Sequence, residues 1–334
     1  MKLLIVLINY RTADMTLRAL ECALDSLHRV EGRCRVALVD NDSGDGSFEQ
    51  LQKVVGQKGW TDRVELIQTG HNGGFAYGVN AGALPALQSD DPPEYVYLLN
   101  SDAFVDQDTI PRLVEFLDSH PEAGIAGSQV RGTDGVLHDT AFQFHSLAAE
   151  LEGAVGIGLV TKLLYRWKVS KPVPRETTRV DWLAGASMLI RGRVFEEIGP
   201  FDDDFFLYFE ETDFCRRAAR AGWSTWYVPE SRVEHIGSVS TGWKDTSQPR
   251  PAFWFHARRH YFLKHHGRAY LLATDLAYVL GMAIGRTKFA LLGKPYPRPP
   301  RFFRDFVRYN FLRPPRHPAK AAPLSSRKAA RSLS

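Results

Sequence analysis

Four apolar runs, LLIVLI (3–8), RVALVD (35–40), RVELIQ (63–68) and YVYLLN (95–100), alternate with segments of helical spacing such as TADMTLRALECALDSL, GSFEQLQKVV and GFAYGVNAGALPAL. Strands that are apolar throughout, joined by helices, belong to a mostly parallel sheet covered on both faces. Three of the runs stop abruptly in polar residues: Asn9-Tyr10, Asp40-Asn41-Asp42 and Asn100-Ser101-Asp102. Open α/β sheets bind ligands at the carboxyl ends of their strands. Three polar clusters at three strand ends therefore predict one cleft.

A further helix (QDTIPRLVEFLDSH) and strand (AGIAGSQV) extend the sheet. RGTDGVLHDTAFQF then reads as a hairpin, and 146–180 as an irregular basic loop that is a candidate lid. Order returns with VDWLAGASMLIR, GRVFEEIG, PFDDDFFLYFEETDFCRRAARAGW, STWYVPE and VEHIGS. From about Trp254 the chain is helical and aromatic-basic, and after Gly293 prolines and arginines dominate. The first strand follows a single Lys and carries no small-residue cleavage site, so it reads as β-structure rather than a signal peptide. AYLLATDLAYVLGMAIG (269–285) is short and interrupted by Asp275, so it should not span a bilayer.

Charge divides the chain. From Arg286 onward there are 13 Lys/Arg and one acid, Asp305; the 42 bases and 38 acids of the whole leave 29 and 37 for the body. The basic tail suits anionic lipid or nucleic acid, or is a plain solvated extension, while the acidic body with its carboxylate-lined cleft weighs against a nucleic-acid binder. Three scattered cysteines without metal spacing read as reduced thiols in a cytosolic protein.

Asp40 and Asp42 suit a turn or helix cap, and equally a base edge or ribose. HNGGFAYGVNAG (71–82) lets backbone approach a ligand closely at a helix N-terminus. It lacks both the GxGxxG pattern and the Gly-Lys-Ser/Thr of a P-loop, which weakens a dehydrogenase or ATPase reading. Gly78 and Gly82 within it suit close helix–sheet packing. Asp102 offers an oxygen ligand for a hard cation, and His235 can join it. In the densest segment, Asp202–Asp204 and the acids Glu210, Glu211 and Asp213 enclose Phe205, Phe206, Tyr208 and Phe209. A carboxylate among aromatic rings is partly desolvated, which raises its pKa toward that of a general base.

In their order, VLINYR, LVDNDSGDGS, NGGFAYGVNAG, LLNSDAFV, WLAGASMLIR, IGPFDDDFFLYFEETDFCRRAARAGW and HIGS resemble the nucleotide-sugar glycosyltransferases of family 2, with the GT-A fold. Bacterial rhamnosyltransferase-type members that build cell-surface polysaccharides are the nearest in pattern. The resemblance covers Leu3 to Gly267. It implies an α/β GT-A catalytic domain at 1–250, with a nucleotide-binding half at about 1–130 and an acceptor half at about 131–250. An amphipathic, membrane-proximal helical region at 251–293 and a partly disordered basic tail at 294–334 are expected to follow. It further implies that Asp40 contacts the nucleotide base, with Asn9, Tyr10 and Asp42 around it and Asn72 and Gly73 beside it. Asp102 and His235 would hold Mg²⁺ or Mn²⁺, and Trp182, Gly185 and Asp213 would meet the sugar or acceptor. The catalytic base would be Glu211 or Glu210, since Glu-Glu stands where the family usually has Glu-Asp. Ser101 replaces the commoner Pro.

The expected reaction is inverting transfer from a dTDP- or UDP-linked sugar, rhamnose foremost, to a lipid-linked or surface-glycan hydroxyl. Its expected place is the cytoplasmic face of the membrane, with Arg258, Arg259 and Lys264 facing headgroups or diphosphate. A nucleotidyltransferase would want a Gly-rich basic first loop, and NYRTADMT offers one Arg and no glycine. A non-catalytic sugar- or nucleotide-binding module would not need the full set of acids.

Overall fold

The computed structural model describes residues 1–237 and 247–314. Strands β1 (Leu3–Asn9), β2 (Cys34–Asp40), β3 (Val64–Gln68) and β4 (Tyr95–Asn100) form the parallel half of the main sheet in the order β3-β2-β1-β4. Their side chains alternate between two cores. Leu3, Ile5 and Leu7 enter one with helices α1 (Ala13–Ser26), α2 (Ser47–Gln57) and α4 (Thr109–Ser119). Leu4 and Val6 enter the other with α3 (Phe75–Leu87), α7 (Gly192–Ile198) and α8 (Glu210–Arg220). Burial on both faces is why these strands are apolar throughout.

The second half is mixed. β5 (Ala103–Val105), β6 (Ala123–Arg131), β8 (Thr178–Val180), β10 (Ser187–Arg191) and β11 (Ser224–His235) complete the sheet, while β7 (Ala141–Phe142) and β9 (Trp182–Leu183) pair separately. β10 lies antiparallel between β4 and β6, and β11 runs parallel to β6. STWYVPE and VEHIGS are thus one strand, not two. Its register shifts between Val228 and Arg232, where Pro229 cannot donate to a ladder.

The C-terminal region is more ordered, and its charges more inward, than the sequence suggests. Segment 146–180 contains α5 (Leu147–Val155) and α6 (Gly158–Leu163) rather than a loose lid. Ser146 caps α5 by accepting from Ala149 N–H at 3.2 Å. α5 packs on α9 (Ala252–Leu291), whose two helical arms meet at Gly267 (φ 81°, ψ 178°). A Cβ on Gly281 would lie 2.7 Å from that of Ala154, so glycine permits the contact. Regular structure also continues past Gly293. α10 (Phe302–Val307) buries Phe302 and Phe306 with Phe255 and Tyr278 of α9. Residues 315–334, the rest of the expected tail, lie outside the described residues.

Of Arg258, Arg259 and Lys264, expected to face headgroups or diphosphate, Arg258 points inward, while Lys264 is exposed and pairs with neighbouring acids. Arg258 is fully buried, with Nε 2.7 Å from Glu150 and Nη1 2.6 Å from Asp275. Arg259 donates to the Asn310 carbonyl, and Lys264 reaches Asp202 (2.6 Å) and Asp213 (2.8 Å). Burial opposes ionisation of both Arg258 partners. At Glu150, Arg258 and His145 outweigh it and hold the carboxyl at about 2, whereas at Asp275 burial prevails and the pKa is raised.

Arg258→Ala should strand two buried carboxylates and cost about 3–5 kcal/mol in urea unfolding. Adding Glu150→Gln and Asp275→Asn should recover part of that loss.

Candidate active site

The three polar strand ends do converge. A cleft of about 560 Å³ is lined by Tyr10, Asn41, Asn72, Gly74, Asn100, Ser101, Asp102, Glu210, Glu211 and His235, with Phe206, Tyr208 and Phe253 among its apolar walls.

Asp102 lies in the turn between β4 and β5. β5 pairs with β11 so that Ala103 faces His235. This register places His235 Nε2 3.0 Å from Asp102 Oδ1, and Gly237 N–H donates to Oδ2 at 3.1 Å. Burial would raise the Asp102 pKa, but the hydrogen bond and charge of His235 and the Gly237 N–H hold it below the usual carboxylate value. Ser101 accepts a hydrogen bond from Thr12 Oγ at 3.0 Å, tying the β4 turn to the loop after β1. A proline could not accept that bond.

A divalent cation fits this pair. Asp102 offers carboxylate oxygens and His235 an imidazole nitrogen at one strand-end turn of the cleft, a donor set that would hold such an ion. A second carboxylate–imidazole cluster, Asp202, Asp204 and His260, is geometrically possible but lies outside the cleft lining. There the Lys264 ammonium stands 2.6 Å from Asp202 and already supplies the positive charge.

Opposite in electrostatic character is the start of α8. Tyr208 (φ 72°) and Phe209 (φ 70°) both adopt the left-handed region immediately before Glu210. Such strain in bulky residues persists only where surrounding packing enforces it, and here Phe205 and Phe209 are buried against α9. Glu210 is buried and its Oε2 lacks a hydrogen-bond partner. Burial, then the charge of Glu211, pushes its carboxyl well above the ordinary 4.5. Glu211 is also raised, by burial, although the Gly185 N–H donates to its Oε1 at 3.1 Å. A Cβ on Gly185 would stand 2.9 Å from that oxygen, so the glycine makes room for the carboxylate.

Other expected residues have different surroundings. Asp40 is buried and accepts from Asn9 Nδ2 (2.7 Å) and Ser43 Oγ (2.6 Å); Asn9 in turn accepts from Thr16 Oγ1 (2.8 Å). These two hold the strand-end loop, and neither lines the cleft. Asp42 is an exposed turn residue at φ 58°. Asn72 accepts from Gly74 N–H and from Asn41, whose amide also donates to the Gly74 carbonyl. Gly73 packs on Tyr77, while the closest approach falls at Gly74, where a Cβ would meet the Phe206 carbonyl. Gly78 and Gly82 pack against Ile8 and Val6 of the sheet, as their spacing suggested.

Trp182 stacks on Phe142 and donates to the Gln143 carbonyl, away from the cleft lining. Asp213 is wholly buried among Arg217, Lys264 and His265, tying α8 to α9 instead of meeting a sugar. Sequence reasoning missed Asn41, His138 and Phe253 in the lining. Asn41 sat inside a quoted strand-end cluster, whereas His138 and Phe253 arrive through tertiary packing and carried no local signal.

Residues 2–260 match the family model described as Glycosyltransferase like family 2. The chain belongs to this glycosyltransferase family. It is 30% identical over 220 residues to the N-acetylglucosaminyl-diphospho-decaprenol L-rhamnosyltransferase of Mycobacterium tuberculosis (strain ATCC 25618 / H37Rv), covering 62% of this chain and 68% of the relative. It is 28% identical over 167 residues to the rhamnosyltransferase WbbL of Escherichia coli (strain K12), covering 50% and 60%. Among solved structures, GalNAc-T7 with UDP, GalNAc and Mn²⁺ superposes with a TM-score of 0.56 at 15% identity, covering 92% of this chain and 56% of that one. The mannosyltransferase PcManGT of Pyrobaculum calidifontis, in complex with GDP-Man and Mn²⁺, gives 0.51 at 14%, covering 87% and 75%. The fold of this glycosyltransferase is GT-A, and its activity class is hexosyl transfer.

Because the folded pKa of Glu210 is raised, its contribution to stability is intact below the ordinary value of 4.5 and is lost as pH rises through the folded value. Glu210→Gln removes that ionisation. Its Tm should exceed the parent's at about pH 8, with the gap narrowing toward acid in a pH series of thermal melts.

Proposed function

We propose that this glycosyltransferase is inverting and metal-dependent. In this reading it moves a sugar, rhamnose foremost, from a dTDP- or UDP-linked donor to a hydroxyl of a lipid-linked or cell-surface glycan. The observation that carries the reading is one cleft with two kinds of acid. Asp102 is held ionised beside His235, whereas Glu210 and Glu211 are both pushed toward protonation. Transfer from a nucleotide sugar needs this division: a permanent anion for the metal–diphosphate end, and a base of raised pKa for the acceptor.

Tyr10, Asn41 and the Asn72–Gly74 turn line the nucleotide end, with Asn9, Asp40 and Asp42 acting through the loop they hold. Asp102 and His235 would hold Mg²⁺ or Mn²⁺, which would supply neutralising charge for the departing diphosphate. Glu211 is the base. The Gly185 N–H fixes one of its oxygens, and the other takes the proton of the acceptor hydroxyl as the acceptor's oxygen bonds to the anomeric carbon. The carbon–diphosphate bond breaks on the opposite face, so configuration inverts. Glu210, deeper and with an unpartnered oxygen, retains its proton and spares Glu211 a second negative neighbour. Phe206 and Phe253, with ring centroids 5.5 Å apart, give the acceptor side an aromatic wall.

The lipid-linked acceptor is supported by the mycobacterial relative, an N-acetylglucosaminyl-diphospho-decaprenol L-rhamnosyltransferase. Among the described residues no helix is long and apolar enough to cross a membrane, so contact with the cytoplasmic face would be peripheral.

Glu211→Gln should lower kcat by about 10²–10⁴-fold while donor binding persists, and Glu210→Gln should keep most turnover. A panel of nucleotide sugars in thermal shift, with and without Mn²⁺, should single out dTDP-rhamnose, and Asp102→Asn should abolish its Mn²⁺-dependent shift. Undiminished turnover by Glu211→Gln, or a product that retains anomeric configuration by NMR, would contradict the mechanism.

A further inference from the structure

The second arm of α9, after the break at Gly267, has two unlike faces. Its inner face buries Leu271, Thr274, Asp275, Tyr278, Gly281 and Met282 against α5 and α10. Its outer face carries Leu272 (52% exposed), Leu276 (55%), Leu280 (57%) and Ile284 (41%), spaced one turn apart. Leu291 (83%) extends this face, and the positions between are Ala or Thr.

At 3.6 residues per turn, Arg268 and Arg286 fall on one margin of the stripe, since their separation of 18 positions makes five turns, and Lys288 falls on the other. The stripe runs about 28 Å along the helix. An apolar row of this length exposed to water is not what a monomer's surface normally tolerates.

Charge identifies the occupant. From Arg268 to Pro314 there are nine Lys/Arg and two acids. Both acids are buried: Asp275 binds Arg258, and Asp305 pairs with Arg304. α6 adds to the same end. Lys288 donates to the Gly156 carbonyl, where α6 departs from α5, and α6 exposes Leu159 (69%) and Leu163 (70%). The segment 158–175 around it holds five bases and no acid. A convex helix face, apolar along its centre and basic at its margins, suits the boundary between headgroups and acyl chains.

We infer that the Leu272–Leu291 face of α9 lies flat on an anionic lipid bilayer, held by its leucines and by Arg268 and Arg286 at the headgroups. The first arm of the same element contributes Phe253 to the cleft, so docking would present the acceptor side to the membrane. This names the membrane partner of the proposed function and rests on that reading for its purpose. Lipid binding itself needs no acceptor.

The test is flotation of the full chain with vesicles of phosphatidylcholine, and of phosphatidylcholine containing phosphatidylglycerol. The parent should float with the anionic vesicles, less with the neutral ones, and less again in about 0.5 M salt. Leu276→Asp with Leu280→Asp should lower the bound fraction about a hundredfold. Arg268→Glu with Arg286→Glu should lower it on anionic vesicles only. All four positions are exposed, so melting temperatures should match the parent's. Nucleotide release from the donor in water should also match, which separates docking from catalysis: a chain that floats but releases no nucleotide defeats the transferase mechanism alone. Equal flotation by the parent and the Leu pair overturns the inference. So does a parent that is dimeric by light scattering, ignores vesicles and becomes monomeric in the Leu pair, because the face then belongs to a second copy.

Discussion

Strand β10, inserted antiparallel between β4 and β6, is the contact on which the site depends. It joins the parallel half of the sheet to the mixed half. Just before it, the Ala186 carbonyl accepts the Asn100 N–H at 3.2 Å and Gly185 donates to Glu211. One short loop thereby touches both the turn that carries Asp102 and the carboxylate at the head of α8. The pKa values of the two acids move in opposite directions because this seam sets them in different surroundings: one beside an imidazole and a backbone donor, the other buried beside a second glutamate.

The aromatic segment before α8 supplies the opposing constraint. The Phe75 N–H donates to the Phe206 carbonyl at 2.8 Å, and Gly74 leaves the space that this approach needs. The strained Tyr208–Phe209 pair then turns the chain into α8. Burial of Phe205 and Phe209 against α9 offsets that strain, so the C-terminal helix acts as a buttress for Glu210 and Glu211.

The same helix explains why the basic residues near 258–264 were misread. Their spacing suits a surface as well as an interior, and only the arrival of Glu150, Asp202, Asp213 and Asp275 from distant segments decides between the two. Arg258 is thereby consumed inside, whereas Arg268 and Arg286 stay exposed beside the leucine stripe of the second arm.

Sequence alone determined the layered α/β half, because apolar strands and helical spacing admit few alternatives once both faces must be covered. It also determined that Asn100-Ser101-Asp102 ends a strand at a cleft, and that the Glu210–Glu211 pair lies among aromatics. Tertiary structure decided the rest. Asp40 and Asn9 share a local polar cluster with Asp42, but hydrogen bonds to Ser43 and Thr16 turn the first two into the loop. Asp213 follows Glu211 by two residues on one helix, yet it faces His265 and Lys264 from another. Strand and helix periodicities are local properties of a chain. Whether an acid is ionised, paired or open to a substrate depends on partners more than a hundred residues away, as Asp102 does on His235.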